Sequence, residues 1–200
     1  MYNYDREGRT LDFKSFTNDY FNRLYSLLKT IDFVEFEKFY THLCSLDNSE
    51  SRIFIIGNGG SASTASHMAN DLSTGLKRRN ILSLDVISLC DNTSITTALA
   101  NDIGYNNIFY MQLKNIIKPK DTLIAISCSG TSENIVKAAK YSKEIGATTI
   151  GLTGFSGGEL KILSDINLHF ETQHSDYGLV EDAHMILNHV LFSYFQEIHK

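Results

Sequence analysis

Two hundred residues with 42% hydrophobic side chains supply enough apolar surface for one compact core and a helical extension. A formal charge of -5 and a pI near 5.8 leave no broad positive field for nucleic acid, and the one basic run, Lys77-Arg78-Arg79, reads as solvated surface. No apolar stretch approaches the roughly 20 residues needed to cross a bilayer, the start of the chain lacks the apolar segment of a signal peptide, and Cys44, Cys90 and Cys128 are widely spaced, so a cytoplasmic protein with reduced thiols is expected, with no membrane or nucleic-acid partner.

From Leu11 to Leu46 apolar residues recur every three or four positions (Phe13, Phe16, Tyr20, Leu24, Leu27, Leu28, Ile31, then Phe36, Phe39, Tyr40, Leu43). That is the helical period, so residues 1–50 are expected to form a helical extension. Its abundant aromatic side chains suit a core or an interface between copies of the chain. After the polar break Asp47-Asn48-Ser49-Glu50-Ser51, short apolar runs alternate with helical ones over residues 51–200, the pattern of parallel strands joined by crossover helices. Strands are expected at 52–56, 83–89, 122–127, 148–153 and 166–170, and helices at 62–73, 93–101, 133–145, 158–163 and 180–199. Runs such as Leu123-Ile124-Ala125-Ile126 require burial on both faces. The expected fold is therefore an α/β three-layer sandwich, flavodoxin-like, around a five-stranded parallel sheet.

Two loops run from a strand straight into a helix, the setting in which open parallel sheets bind ligands. In Gly57-Asn58-Gly59-Gly60-Ser61 the glycines permit a tight turn and the free amides of the helix start favour an anion. The loop is neither a Rossmann fingerprint, since position 62 is alanine, nor a P-loop, since it lacks a Gly-Lys-Ser/Thr ending, so no nucleotide cofactor is expected. The second loop, Ser127-Cys128-Ser129-Gly130-Thr131-Ser132, carries four hydroxyls where a helix begins. Helix capping needs only one hydroxyl. Four of them, with Ser61 on the neighbouring loop, suit the acceptor oxygens of a phosphate ester. Cys128 reads as a space-filling thiol in preference to a nucleophile.

His67 and Asp71, four apart on the helix after the first loop, share a face and can converge on one ion or one substrate proton. Glu181, His184 and His189 occupy roughly one half of the circumference of the last helix.

These residues resemble the sugar isomerase (SIS) domain family and, within it, the phosphoheptose isomerases of bacterial heptose synthesis for lipopolysaccharide or capsule. The resemblance rests on Gly57 to Ser61, His67, Ala100-Asn101-Asp102-Ile103-Gly104-Tyr105, Ile126 to Ser132, Gly151 to Gly158 and the last helix. It implies that Ser127, Ser129 and Ser132 hold phosphate, with Cys128 where the family usually has threonine, and that Asn58, Gly59 and Gly60 line the sugar with Asn101 and Asp102 beside it. It also implies a homotetramer with the N-terminal helices between subunits, and a zinc site of His67, Asp71, Glu181 and His189, with Glu181 and Ser61 also expected among the substrate-binding residues. Three positions depart from the pattern: Asp71 stands for glutamate, Glu181 for glutamine, and Gly75 for an arginine.

The expected activity is aldose-ketose isomerisation of sedoheptulose 7-phosphate through an enediol, with Asp71 as base and His189 as its acid/base partner. Two alternatives accompany it: a SIS isomerase acting on another phosphosugar, and a non-catalytic regulator that binds a sugar phosphate.

Overall fold

The computed structural model describes residues 12–199. Leu11, where the first helical pattern was expected to begin, lies outside them. The N-terminal pattern resolves into α1 (Phe13–Leu28) and α2 (Phe33–Ser45). Each begins on an aspartate cap: Asp12 accepts from the Ser15 amide at 3.0 Å, and Asp32 accepts from the Val34 and Glu35 amides. Asp32 therefore divides a stretch that contains neither glycine nor proline.

The strands are β1 (Arg52–Gly57), β2 (Asp85–Ser88), β3 (Thr122–Ser127), β4 (Thr148–Phe155) and β5 (Ile166–Glu171). All pair in parallel, in the order β2-β1-β3-β4-β5. The expected five-stranded α/β sandwich is thus present, with β2 shorter than the 83–89 expected. The connecting helices are α3 (Gly60–Asn70), α4 (Thr93–Ile103), α5 (Ile108–Leu113), α6 (Glu133–Ile145) and α7 (Gly158–Leu163), and the described chain closes with α8 (Tyr177–Ile198). The short α5 was not expected from the sequence.

Alternate residues of each central strand face opposite layers. Ile53, Ile55, Ile124, Ile126, Ile150 and Leu152 join Leu27, Phe39, Leu43, Met68, Leu187 and Phe195 in one core, formed with α1, α2, α3 and α8. Phe54, Ile56, Leu123 and Ala125 join Phe109, Leu113, Ile135 and Leu160 in the other, formed with α5, α6 and α7. The N-terminal pair is therefore half core and half surface: Leu27, Phe39 and Leu43 are buried, whereas Phe13, Phe21, Tyr25 and Phe33 are exposed.

The helix begun by α3 continues through a π-helical turn, Asp71–Gly75. A widened turn of this kind is rare and concentrates at functional positions. Buried Gly75 closes it beneath the Phe192 ring, where a Cβ would come within 3.0 Å of that ring. No side chain can project from position 75 without moving Phe192.

His184, grouped with Glu181 and His189 on sequence spacing, turns into the core instead. It is fully buried, its Nε2 lies 3.3 Å from the Thr153 carbonyl, and its Nδ1 has no partner. Burial pushes its pKa down to about 4. The unfolded chain takes up this proton near pH 6.5 and the folded chain only near 4, so stability falls as pH drops through that window, by about 3 kcal/mol for this group. Urea unfolding at pH 7, 5.5 and 4.5 should show that loss, and His184→Leu should flatten it. An unchanged pH slope in the variant would contradict this origin.

Candidate active site

The winding direction reverses between β1 and β3, and ligands of open α/β sheets bind beyond the strand ends at such a reversal. Both hydroxyl-and-glycine loops leave the sheet there, side by side. Asn58 on the first and Asn134 in the first turn of α6 exchange two amide hydrogen bonds, each 2.9 Å, and Tyr105 donates its hydroxyl to Asn58 Oδ1 at 2.8 Å. The loops are thereby fixed relative to one another.

Between them lies a cavity of about 120 Å³ lined by Asn58, Ser61, Ile126, Ser127, Cys128, Ser129, Ser132, Tyr177 and Glu181. Two longer helices aim their N-termini at it. The cap of α3 is Gly59 (φ 54°), and the cap of α6 is Ser132, whose side chain makes no capping bond. Ser132 Oγ and the first amides of both helices thus remain available to an anion, helped by the helix dipoles. Ser127 Oγ accepts from the Gly130 amide at 3.1 Å, and Ser129 Oγ accepts from the Thr131 amide and hydroxyl. The hydroxyl protons of Ser127 and Ser129 stay free to donate. Larger grooves of about 480 and 420 Å³ lie beside α1 and between α2 and α8, and neither is lined by residues of the two loops.

The second loop is locked from behind. A Cβ on Gly130 (φ +64°) would lie 1.9 Å from the Gly157 carbonyl oxygen, and Leu160 N–H donates to the Gly130 carbonyl at 3.0 Å. The β4–α7 turn, Gly154 to Gly158, is therefore a buttress of the second loop.

A second group sits farther along the same helices. Asp71 is buried, and His67 and His189 are exposed. His67 Nε2 lies 3.2 Å from Asp71 Oδ2 and 3.0 Å from His189 Nε2, and one ligand atom from each of the three falls within 4.8 Å of the others. Tetrahedral zinc with nitrogen ligands at about 2.0–2.1 Å holds them roughly 3.3 Å apart, so this donor set and spacing fit such an ion with a position left open. Asp71 Oδ2 also accepts from Asn188 Nδ2 at 2.7 Å.

Glu181 stands apart from this group. Its carboxylate lies over Gly60, where a Cβ on that glycine would meet it at 2.3–2.4 Å, and it lines the phosphate-loop cavity. The expected four-residue metal set therefore divides into His67, Asp71 and His189 at one place and Glu181 at another. The eight residues from Glu181 to His189 explain the division, since they advance about 12 Å along α8. Burial and the Asp182 carboxylate push the Glu181 pKa up.

Asn101 and Asp102 lie exposed at the end of α4, the amide of the first donating to the carboxylate of the second at 2.9 Å. They sit just before Tyr105 at the mouth of the site, without a bond to either loop. Sequence reasoning passed over Asn134, Tyr177 and Asn188 as site residues and used Tyr105 only as part of a motif. Asn188 had a visible signal, a polar residue among the buried Leu187 and Leu191 of α8.

Parallel sheet, reversal point and hydroxyl-lined anion cavity together define a sugar-phosphate-binding domain of the SIS class. The SIS domain family model matches residues 19–154. Phosphoheptose isomerase of Helicobacter pylori is 40% identical over 147 residues, 74% of each chain, and that of Clostridium acetobutylicum is 41% identical over 140 residues, 70% of each. The solved phosphoheptose isomerase of Neisseria gonorrhoeae superposes with a TM-score of 0.80 at 25% identity, over 93% of this chain and 100% of that one. The chain belongs to the phosphoheptose isomerase family of SIS proteins and is a sugar-phosphate isomerase.

Burial and the nearby Glu181 carboxylate push the Cys128 thiol up to about 11. At pH 8 it should therefore react with iodoacetamide at least about 100-fold more slowly than a free thiol. Mass-spectrometric mapping of alkylation with time checks this, and early labelling of Cys128 would revive it as a nucleophile.

Proposed function

We propose that the chain converts sedoheptulose 7-phosphate to the corresponding aldose phosphate through a cis-enediol, in the cytoplasmic synthesis of heptose for surface polysaccharide. The observation that carries this reading is a distance. His67 follows Gly60 by seven residues on one helix, so the acid/base group lies about 10 Å from the phosphate loop. Six extended carbon–carbon bonds of about 1.5 Å each put C1 roughly 8 Å from C7, and the ester adds the remainder. A seven-carbon ketose gripped by its 7-phosphate thus reaches the histidines and Asp71 with C1 and C2.

In this reading the phosphate ester rests on Ser61, Ser127, Ser129, Ser132 and the amides at the starts of α3 and α6. Cys128 fills the back of the cavity, and Asn58, Gly59, Gly60 and Glu181 meet the sugar hydroxyls. The Asp71 carboxylate takes the C1 proton of the ketose, and the electron pair moves to form the C1–C2 double bond while the C2 oxygen gains a proton from His189. Return of a proton to C2 and loss of the C1 hydroxyl proton complete the aldose. Both groups are held at fixed positions relative to the phosphate grip, so binding energy far from the reacting carbons orients them. His67, Asp71 and His189 would hold the zinc ion that the family implies, which when bound would supply a Lewis acid for the substrate oxygens in place of the proton from His189. Glu181, in the other cavity, would meet the sugar and not the ion.

The assembly we propose is a homotetramer packed through the exposed aromatic face of the N-terminal extension, residues 1–50, with residues 51–200 forming the sugar-phosphate-binding unit. Phe13, Phe21 and Tyr25 on α1, and Phe33 beside Tyr194 at the α2–α8 groove, form that face. Large exposed apolar patches of this kind mark interfaces.

Asp71→Asn keeps an acceptor for Asn188 and removes the base. It should lower kcat by about 1,000-fold or more while KM stays within a few-fold, measured by NMR of the aldose formed from sedoheptulose 7-phosphate. Wild-type turnover in this variant would sink the assignment. Conversion that survives exhaustive chelation would remove the metal from it.

A further inference from the structure

Asn188 makes the shortest contact to the Asp71 carboxylate among the described residues, and no role in the site has yet been assigned to it. It is 1% exposed, and its Nδ2 donates to Asp71 Oδ2 at 2.7 Å. Its Oδ1 is buried and has no partner. The amide has one sensible orientation: the flipped rotamer would set oxygen against carboxylate oxygen and lose the one bond the side chain makes among the described residues. A buried amide that leaves one acceptor unpaired is less favourable than an apolar side chain of similar shape. The cost is borne at a position of α8 from which a donor does reach Asp71.

The neighbouring residue completes the arrangement. Consecutive residues of a helix point about 100° apart. On α8 this sends Asn188 inward to Asp71 and His189 outward to His67. Two adjacent residues of α8 thus grip both members of the His67/Asp71 pair, at the point where α3 passes into the π turn that Asp71 begins. An aspartate has two side-chain torsions, and at the head of a widened turn its carboxylate needs an outside contact to stay in one rotamer. Asn70 offers a longer contact to Oδ1, at 3.3 Å, and His67 shares Oδ2 at 3.2 Å. Asn188 supplies the short buried one.

We propose that Asn188 is a positioning residue: its amide holds the Asp71 carboxylate in register with His67 and His189, and so sets the rate of proton transfer without touching substrate. The proposal deepens the reading of Asp71 as base and rests on it.

The test is Asn188→Leu, close in volume, studied in the full chain. Supporting residues behind a catalytic group characteristically cost 10- to 100-fold when lost. We expect kcat to fall by that factor, KM for the phosphosugar to stay within about threefold because the phosphate loops are untouched, and the thermal midpoint to hold or rise. Cobalt affinity, measured by calorimetry, should fall by a similar factor in the wild-type background and by less than twofold in Asp71→Asn, since the effect runs through Asp71. If the leucine variant fails to fold, Asn188→Ser carries the same comparison with less change in volume. A folded variant with kcat within twofold of wild type overturns the proposal, as does a rise in KM matching the fall in kcat, or an equal cobalt loss in both backgrounds. Failure of the underlying reading looks different: Asp71→Asn would itself keep wild-type turnover.

Discussion

The reversal of winding between β1 and β3 is the constraint on which the site depends. Because β2 lies on one side of β1 and β3 to β5 on the other, the loops after β1 and β3 are adjacent, and two helix N-termini face one small cavity. The Asn58–Asn134 exchange ties these loops across 76 residues of sequence. Every other feature of the anion site is a consequence of that placement: the free amides, the uncapped Ser132, and the glycines that let the chain pass close behind.

The proposed phosphate site has no lysine or arginine among its described lining residues. Its lining offers hydroxyls, amides and the Glu181 carboxylate. Attraction for an ester bound there would therefore come from oriented dipoles, which are fixed in advance and lose nothing on reorganising when ligand binds. The absence of a cation among these residues also accounts for the behaviour of Glu181, since nothing there offsets burial and the Asp182 charge that push its pKa up. A carboxyl group beside the cavity but over Gly60 suits hydroxyl-bearing carbons next to the phosphate better than the phosphate itself.

The sheet was legible because its signals are local: runs such as Leu123-Ile124-Ala125-Ile126 can only be doubly buried strands, and hydroxyl-rich loops at their ends name a ligand type. The loops' mutual lock was not legible, since Asn134 reads as an ordinary first-turn residue until Asn58 is seen opposite it. Helix α8 shows the limit most clearly. Spacing grouped Glu181, His184 and His189 on one half of its circumference, yet they serve three surroundings: the cavity, the core and the histidine pair. A helix running alongside both the phosphate loop and the acid/base group presents different neighbours at each turn, and periodicity in sequence carries no information on which neighbour each turn meets. The π turn at Asp71–Gly75 was equally invisible, since its last residue, Gly75, packs under Phe192, a side chain distant in sequence.

The two halves of the site differ in their access to water, and this ties the chemistry to the proposed assembly. The cavity between the two loops is lined by Ser61, Ser127 and Cys128, which are buried within this chain. By contrast the His67 side chain is 43% exposed, and His189 stands beside exposed Val190 on the face that also carries Tyr194. An enediolate needs exclusion of water to keep its protons with the enzyme's own groups. A cover over α8 at His189 would supply that exclusion while burying Val190 and Tyr194, and a second copy packed through the aromatic face of α1 and α2 has the surface to provide it. In that arrangement one monomer grips the phosphate unaided, whereas proton transfer depends on the neighbouring subunit.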